Sequence, residues 1–336
     1  MNLPKRILSK AYREAKYLGR DINHLLGFDD QFYRGARGSR IMIYHGICQE
    51  DHTRFNPIFL KLKTFEQHLR FYKEYFNVIS LEDFYKGDFS KDKFNICITF
   101  DDGYANNYSY VLPLLRKYQL PATFFITAIR EAGYDILWND FLGILGKYGP
   151  ANILYKGEKF YKGRFNRYIS EQSGQSIVEM LRSGGFGVKA EMMEELFPLV
   201  PYMKDKSNDV DYWLQMTKEQ IRELSLSPFV NIGSHGYYHN DLARISAPDA
   251  GDEMLRSKLY LEDITGQAVN SLAFPYGTYT PGVVGAAKKV GYKQLLCMDF
   301  HFDEDRTDPI MKERFTVNPF ISTPNQMYAT ITRSYE

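Results

Sequence analysis

Asn95-Ile-Cys-Ile-Thr-Phe-Asp-Asp-Gly-Tyr104 is the stretch on which the fold turns. Its first six residues form an almost unbroken apolar run, where a half-solvated strand would alternate polar with apolar. A continuous run of that length suits a strand covered on both faces, as in parallel sheets flanked by helices. The run ends in two carboxylates and a glycine, so charge gathers at the carboxyl end of a buried strand. In α/β folds that end is the open rim where functional groups collect.

Reading outward, similar short runs recur with helical patterns between them. Before the stretch comes Arg40-Ile-Met-Ile-Tyr44, closed by His45-Gly46. After it come Pro121–Ile126, Phe229–Gly233, Ser271–Phe274, Gln294–Met298 and Arg314–Val317. Helices are predicted near Tyr108–Tyr118, Pro248–Thr265 and Pro281–Val290. This alternation predicts the α/β class and a distorted (β/α) barrel, TIM-like, of seven to eight strands. The alternation lapses over 139–216, which reads as a mainly helical insertion or lid, and resumes at the capping-box pattern Thr217-Lys-Glu-Gln220. The expected organisation is a basic helical segment over 1–39 and a barrel domain over 40–336 carrying that insertion.

Composition narrows the partners. Forty-two Lys and Arg against 41 Asp and Glu give no overall electrostatic pull, which argues against nucleic acid as a ligand. The 26 Tyr and 24 Phe suit a cleft that stacks on sugar rings and equally an aromatic core. Cys48, Cys97 and Cys297 are too scattered for a disulfide framework or a thiolate zinc site. No apolar run of signal-peptide or membrane-spanning length is visible, and a cytoplasmic location is expected. In the first segment Leu3, Ile7, Leu8, Ala11, Ala15 and Leu18 recur at helical spacing beneath a basic face. Docking on the chain's own domain is the expectation there, with peripheral association at the inner membrane face as an alternative.

Asp101 and Asp102 are adjacent at a strand end, where successive side chains point to opposite sides, so they suit different tasks. One carboxylate can hold a metal while the other takes a proton from water. Alone, Asp-Asp-Gly reads more readily as a turn. His235-Gly-Tyr-Tyr-His239 adds two imidazoles at i, i+4, which share a face if the segment makes a helical turn. A His-His-Asp set drawn from two strand ends leaves coordination positions open, as catalytic sites require. Zinc suits these donors, and cobalt, nickel or manganese is also accepted by them. Phe274-Pro275-Tyr276-Gly277 ends another strand and can offer a backbone N–H to a developing oxyanion, or be a plain turn. His45, after the first strand, can serve as a general acid or be structural.

Taken together, these residues resemble the polysaccharide deacetylases of the chitooligosaccharide-deacetylase homology domain, carbohydrate esterase family 4. Thr99-Phe-Asp-Asp-Gly-Tyr104 resembles the first motif, which implies Asp101 as catalytic base and Asp102 as metal ligand. Ser234-His-Gly-Tyr-Tyr-His239 resembles the second, implying His235 and His239 as ligands. Phe274-Pro-Tyr-Gly277 resembles the third, implying an oxyanion role for the Tyr276 N–H. Tyr44-His45, Phe65-Glu-Gln-His-Leu69, Ile79-Ser-Leu81 and Leu120-Pro-Ala-Thr-Phe-Phe125 are similar to the subgroup acting on poly-N-acetylglucosamine-type polymers. The resemblance implies a divalent metal cofactor and release of acetate from an N-acetylated glycan or glycan precursor.

Two departures stand out. Ala273 occupies the place where many members carry an arginine that orients the catalytic Asp, so another group must do so here. No Leu-x-His motif supplies the usual general acid; His45 is the expected replacement and His301 the second choice. Three alternatives stay open: a non-catalytic glycan-binding protein on the same fold, a deformylase or deacetylase of a nucleotide- or lipid-linked sugar, and a glycosidase. The glycosidase needs carboxylates about 5 to 10 Å apart on either side of a bond, unlike two chain neighbours.

Overall fold

The computed structural model describes residues 3–205 and 209–335. The expected segment 1–39 therefore begins, and the insertion 139–216 partly runs, outside the described residues. Eight short strands form one parallel sheet: β1 (Ser39–Tyr44), β2 (Asn95–Phe100), β3 (Ala122–Ile126), β4 (Val230–Ser234), β5 (Ser271–Ala273), β6 (Gln294–Cys297), β7 (Met311–Glu313) and β8 (Phe315–Thr316). Neighbours follow chain order from β1 to β7, and β8 returns to pair with β1. A further short strand, Asn77–Val78, adds to the lower half of β2. This is the distorted (β/α) barrel that the alternation predicts.

The ring closes in an unusual way. The sequence predicts one strand over Arg314–Val317; instead two short strands, separated by Arg314 alone, divide the work. Before Arg314, β7 pairs with β6, Leu295 opposite Met311. After it, β8 pairs with β1, Met42 opposite Phe315. The Arg314 N–H donates to the Cys297 carbonyl at 3.1 Å, and three residues on the Val317 N–H reaches the Ile43 carbonyl. Arg314 thus stands at the seam.

Strand alternation separates two apolar populations. Ile41, Cys97, Phe125, Ala273 and Leu296, from five different strands, cluster together inside the ring. Their neighbours Met42, Ile96, Ile98, Phe100 and Phe124 face outward beneath the helices and join the main core. Phe100 and Phe124 stack at 5.0 Å there, each fully buried ring contributing about 2–3 kcal/mol. Because the period is two, Thr99 and Asp101 continue the inward face begun by Cys97.

Helix α1 (Leu3–Leu25) precedes the barrel, and α2 (Leu62–Tyr75) packs its Phe65, Leu69 and Tyr72 into the main core. The insertion carries α3 (Trp138–Tyr148), an antiparallel meander (Asn152–Tyr155, Glu158–Lys162, Tyr168–Ser170), the short helix Ile177–Arg182 and α4 (Phe186–Leu196). It is mainly helical, as predicted, with the small sheet added. It owns a separate core centred on Trp138, Phe160, Met192 and Trp213. The capping box at Thr217 forms with both of its hydrogen bonds. The later helices are α5 (Ala247–Thr265), α6 (Pro281–Val290) and α7 (Thr323–Thr332).

The expected packing of α1 is overturned. Its apolar positions Leu8, Ala11, Ala15 and Leu18 face away from the domain, and its polar residues make the contact with α7. The side chains of Leu3 and Ile7 lie outside the described residues. No helix among the described residues is long and apolar enough to cross a membrane.

Candidate active site and metal centre

Asp101 leaves β2 on the inward face and meets Arg314 at the seam. The guanidinium donates from both terminal nitrogens, Nη1 to Oδ1 at 2.7 Å and Nη2 to Oδ2 at 2.8 Å. Nη1 also reaches Thr99 Oγ1 at 3.2 Å, which links the arginine to the next inward position along β2. Such a forked pair fixes both the orientation and the charge of a carboxylate. Burial pushes the Asp101 carboxyl upward, but Arg314 and then His235 overcome this and hold it below the ordinary value. Asp101 is therefore an oriented anion. Arg314 fills the orienting role that Ala273 leaves vacant, and sequence reading missed it. The available signal was a lone cation at the start of a predicted inner strand.

Asp102 turns the other way because its backbone is left-handed, with φ of 75°. Gly103 follows at φ of 86°, and a Cβ there would lie 2.9 Å from Ile126 Cγ2, so glycine is required by both conformation and space. Asp102 Oδ1 lies 3.4 Å from His235 Nε2 and 3.3 Å from His239 Nε2. All three side chains are buried, and one donor atom from each falls within 4.8 Å of the others. Burial would raise the Asp102 carboxyl, yet hydrogen bonding to His235 and His239 keeps it well below the usual range.

The imidazoles do not meet as the spacing suggests. Residues 235–239 form a loop, and left-handed backbone at Gly236 (φ 78°) and His239 (φ 57°) brings the rings together. His235 Nδ1 lies 2.9 Å from the Ala273 carbonyl, which assigns a proton to Nδ1 and leaves Nε2 as the atom that faces Asp102 and would meet a cation. Glu253 on α5 braces the loop from behind, accepting from the N–H groups of Tyr238 and Asn240 at 3.0 and 3.2 Å. Two imidazole nitrogens and one carboxylate oxygen, buried and braced from behind, fit a divalent cation with open positions.

Tyr276, at φ of 61°, is the third site residue in left-handed backbone, and its ring lies 4.8 Å from that of His239. Strain of this kind, about 1–3 kcal/mol per residue, concentrates at functional sites. Arg182 from the insertion sits 4.5 Å over the Tyr276 ring while its Nε donates to buried Asp241 at 2.7 Å. Trp138 Nε1 donates to the His239 carbonyl at 3.4 Å, and buried Lys189 Nζ to Asn240 Oδ1 at 2.5 Å. The insertion thus grips the loop that carries His239.

His45 comes to the same cleft, because β1 and β2 pair in register and the Asp101 N–H donates to the Tyr44 carbonyl. Burial lowers the His45 pKa, opposed in part by the charges of Asp102 and Asp101. His301 goes elsewhere: it is exposed and stacks on Tyr279 at 4.6 Å. A second residue missed in the sequence is Asp140 of α3, buried and accepting from Tyr104 at 2.8 Å and Asn56 at 3.3 Å. Burial first, and the charge of Asp102 second, raise its carboxyl well above the ordinary range.

A family model described as polysaccharide deacetylase matches residues 89–144 and 200–295, on either side of most of the insertion. No curated protein matches the chain by sequence. Among solved structures, the deacetylase PplD of Streptococcus pyogenes, in complex with acetate, is 18% identical, with 87% of this chain and 97% of that one covered at a TM-score of 0.55. A polysaccharide deacetylase from Bacillus cereus is also 18% identical, covering 87% and 68% at 0.53. IcaB from Ammonifex degensii is 16% identical, covering 88% and 97% at 0.51. At these identities the likeness is one of fold.

Proposed function

Because this chain belongs to the polysaccharide deacetylase family, we propose that it hydrolyses N-acetyl groups from an amino-sugar glycan in a metal-dependent reaction and releases acetate. The observation that carries this reading is the placement of an arginine-oriented carboxylate, Asp101, beside the buried set Asp102, His235 and His239. A divalent cation, zinc by the donor set, would be held by those three residues; it supplies Lewis acidity toward water and the amide carbonyl.

Asp101 takes the proton from the attacking water, and Arg314 keeps that carboxylate ionised and pointed. The Tyr276 N–H donates to the oxyanion as the carbonyl carbon becomes tetrahedral. When the C–N bond breaks, the sugar nitrogen needs a proton, and His45 provides it once protonated; burial opposes that charged form while the neighbouring Asp102 and Asp101 charges favour it. The insertion over 139–216 is proposed as the cover that holds the second-motif loop in place.

The test is acetate release from N-acetylglucosamine oligomers before chelation, after chelation, and after returning zinc. Activity that vanishes with chelator and returns with metal supports the reading. Shortened oligomers without acetate would turn it toward glycosidase chemistry. Glycan binding without acetate under every metal would leave a lectin-like barrel.

A further inference from the structure

Helix α1 meets the domain with the face opposite to the one its sequence suggests. Tyr17 Oη donates to the Tyr335 carbonyl at 2.8 Å, and Asp21 accepts from Ser322 and Asn325 at 2.5 and 3.0 Å. The Arg20 guanidinium lies 3.7 Å over the Tyr328 ring of α7. These contacts occupy the polar side of the helix and hold it against α7.

At about 100° per residue, Leu25, Leu18, Ala11, Ile22, Leu8 and Tyr12 fall within an arc of about 140° centred opposite that docked side. The stripe is bare: Leu8 is 70% exposed, Tyr12 65%, Leu18 61% and Leu25 84%. Phe28, just past the helix, is 75% exposed as well. Scattered exposed leucines are ordinary; a continuous stripe along one rigid helix marks an interaction surface.

The flanking charge says what kind. Residues 1–20 contain Lys5, Arg6, Lys10, Arg13, Lys16 and Arg20 against one acid, Glu14, although the whole chain is nearly neutral. Lys10 and Lys16 are exposed on either side of the stripe, and Arg13 on the polar face behind it. A second copy laid on the stripe would bring like charges together along the seam. Anionic headgroups complement those cations, while the apolar stripe enters the boundary between headgroup and acyl chain. We propose that α1 is an interfacial helix that seats this protein on an anionic phospholipid surface, with the barrel carried above it through the polar contacts to α7.

The test is flotation of the full chain with vesicles of phosphatidylglycerol and phosphatidylcholine in equal parts, against phosphatidylcholine alone. The expected result is binding to the anionic vesicles that weakens between about 0.1 and 1 M salt as the Debye length falls from roughly 10 to 3 Å. The exposed triple substitution Leu8→Glu, Leu18→Glu, Leu25→Glu should abolish flotation without moving the melting temperature or acetate release from a soluble oligomer. Lys10→Glu, Lys16→Glu should lower the partition coefficient by about 25-fold, roughly fivefold per cation. Wild-type protein that stays unbound on both vesicle types overturns the proposal. So does unchanged binding by the leucine variant, or a dimer in light scattering that the leucine variant dissociates.

Discussion

Arg314 holds both carboxylate oxygens of Asp101 across 213 positions of sequence. Removing the guanidinium leaves a buried anion with neither partner nor fixed direction. Arg314→Met should cost about 3–5 kcal/mol in stability and lower kcat by roughly 10²-fold. Arg314→Lys keeps the charge but loses the fork, so stability should recover more than kcat does. Denaturant melts with Asp101→Asn as the second member of a double-mutant cycle would measure the coupling. Additive losses would show that the pair does not act as a unit.

The division of labour between the adjacent aspartates separates by metal content. Asp102→Ala and His235→Ala should purify with sub-stoichiometric metal by atomic absorption. Asp101→Asn should keep its metal and lose acetate release. Stoichiometric metal in Asp102→Ala would refute the assignment.

The second-motif loop should feel the insertion. Lys189 is fully buried, hydrogen-bonded to Asn240, 4.9 Å over the Trp138 ring, and burial pulls its pKa down to about 8. Lys189→Met keeps the volume and removes the tether next to His239. Metal affinity should fall about tenfold or more while the melting temperature changes little. Unaltered affinity by competition titration would mean that the insertion covers the loop without positioning it.

Acid sensitivity should have a source far from the metal. His68 on α2 is 1% exposed, lies 3.0 Å from Tyr44 Oη through Nδ1, and burial drives its pKa down to about 3. Its folded pKa lies below the unfolded value near 6.5, so the unfolded chain binds the extra proton between them. The stability His68 contributes is complete above about pH 6.5 and is lost as pH falls toward 3, at about 1.4 kcal/mol per pH unit. His68→Gln should flatten that limb of the stability-pH curve. An unchanged slope would place the sensitive group elsewhere.

What the sequence disclosed follows from what is local. The inner strands were legible because burial on two faces leaves an apolar run, and Asn95–Phe100 and Pro281–Val290 fall where their patterns predict. Asp101, Asp102, His235 and His239 were legible from strand-end position and motif. Arg314 was not, because its partner is set by how the barrel closes and no spacing encodes that. Asp140 was hidden for the same reason, since the insertion's packing brings it to Tyr104. The loop at 235–239 misled because a four-residue interval fits a helical turn, whereas left-handed residues fold it otherwise. Helix α1 misled because amphipathicity gives a face its character and leaves its partner open.

The seam between β7 and β8 couples assembly to chemistry. One half, β7, pairs with its near neighbour β6, but β8 must find β1 at the far end of the chain before Arg314 can reach Asp101, and contacts so remote are late to form. A molecule that has collapsed but not sealed its ring carries an unaimed carboxylate and is chemically mute. On the proposed reading acetate release requires that closure, so the contact that completes the sheet is also the one that readies the carboxylate.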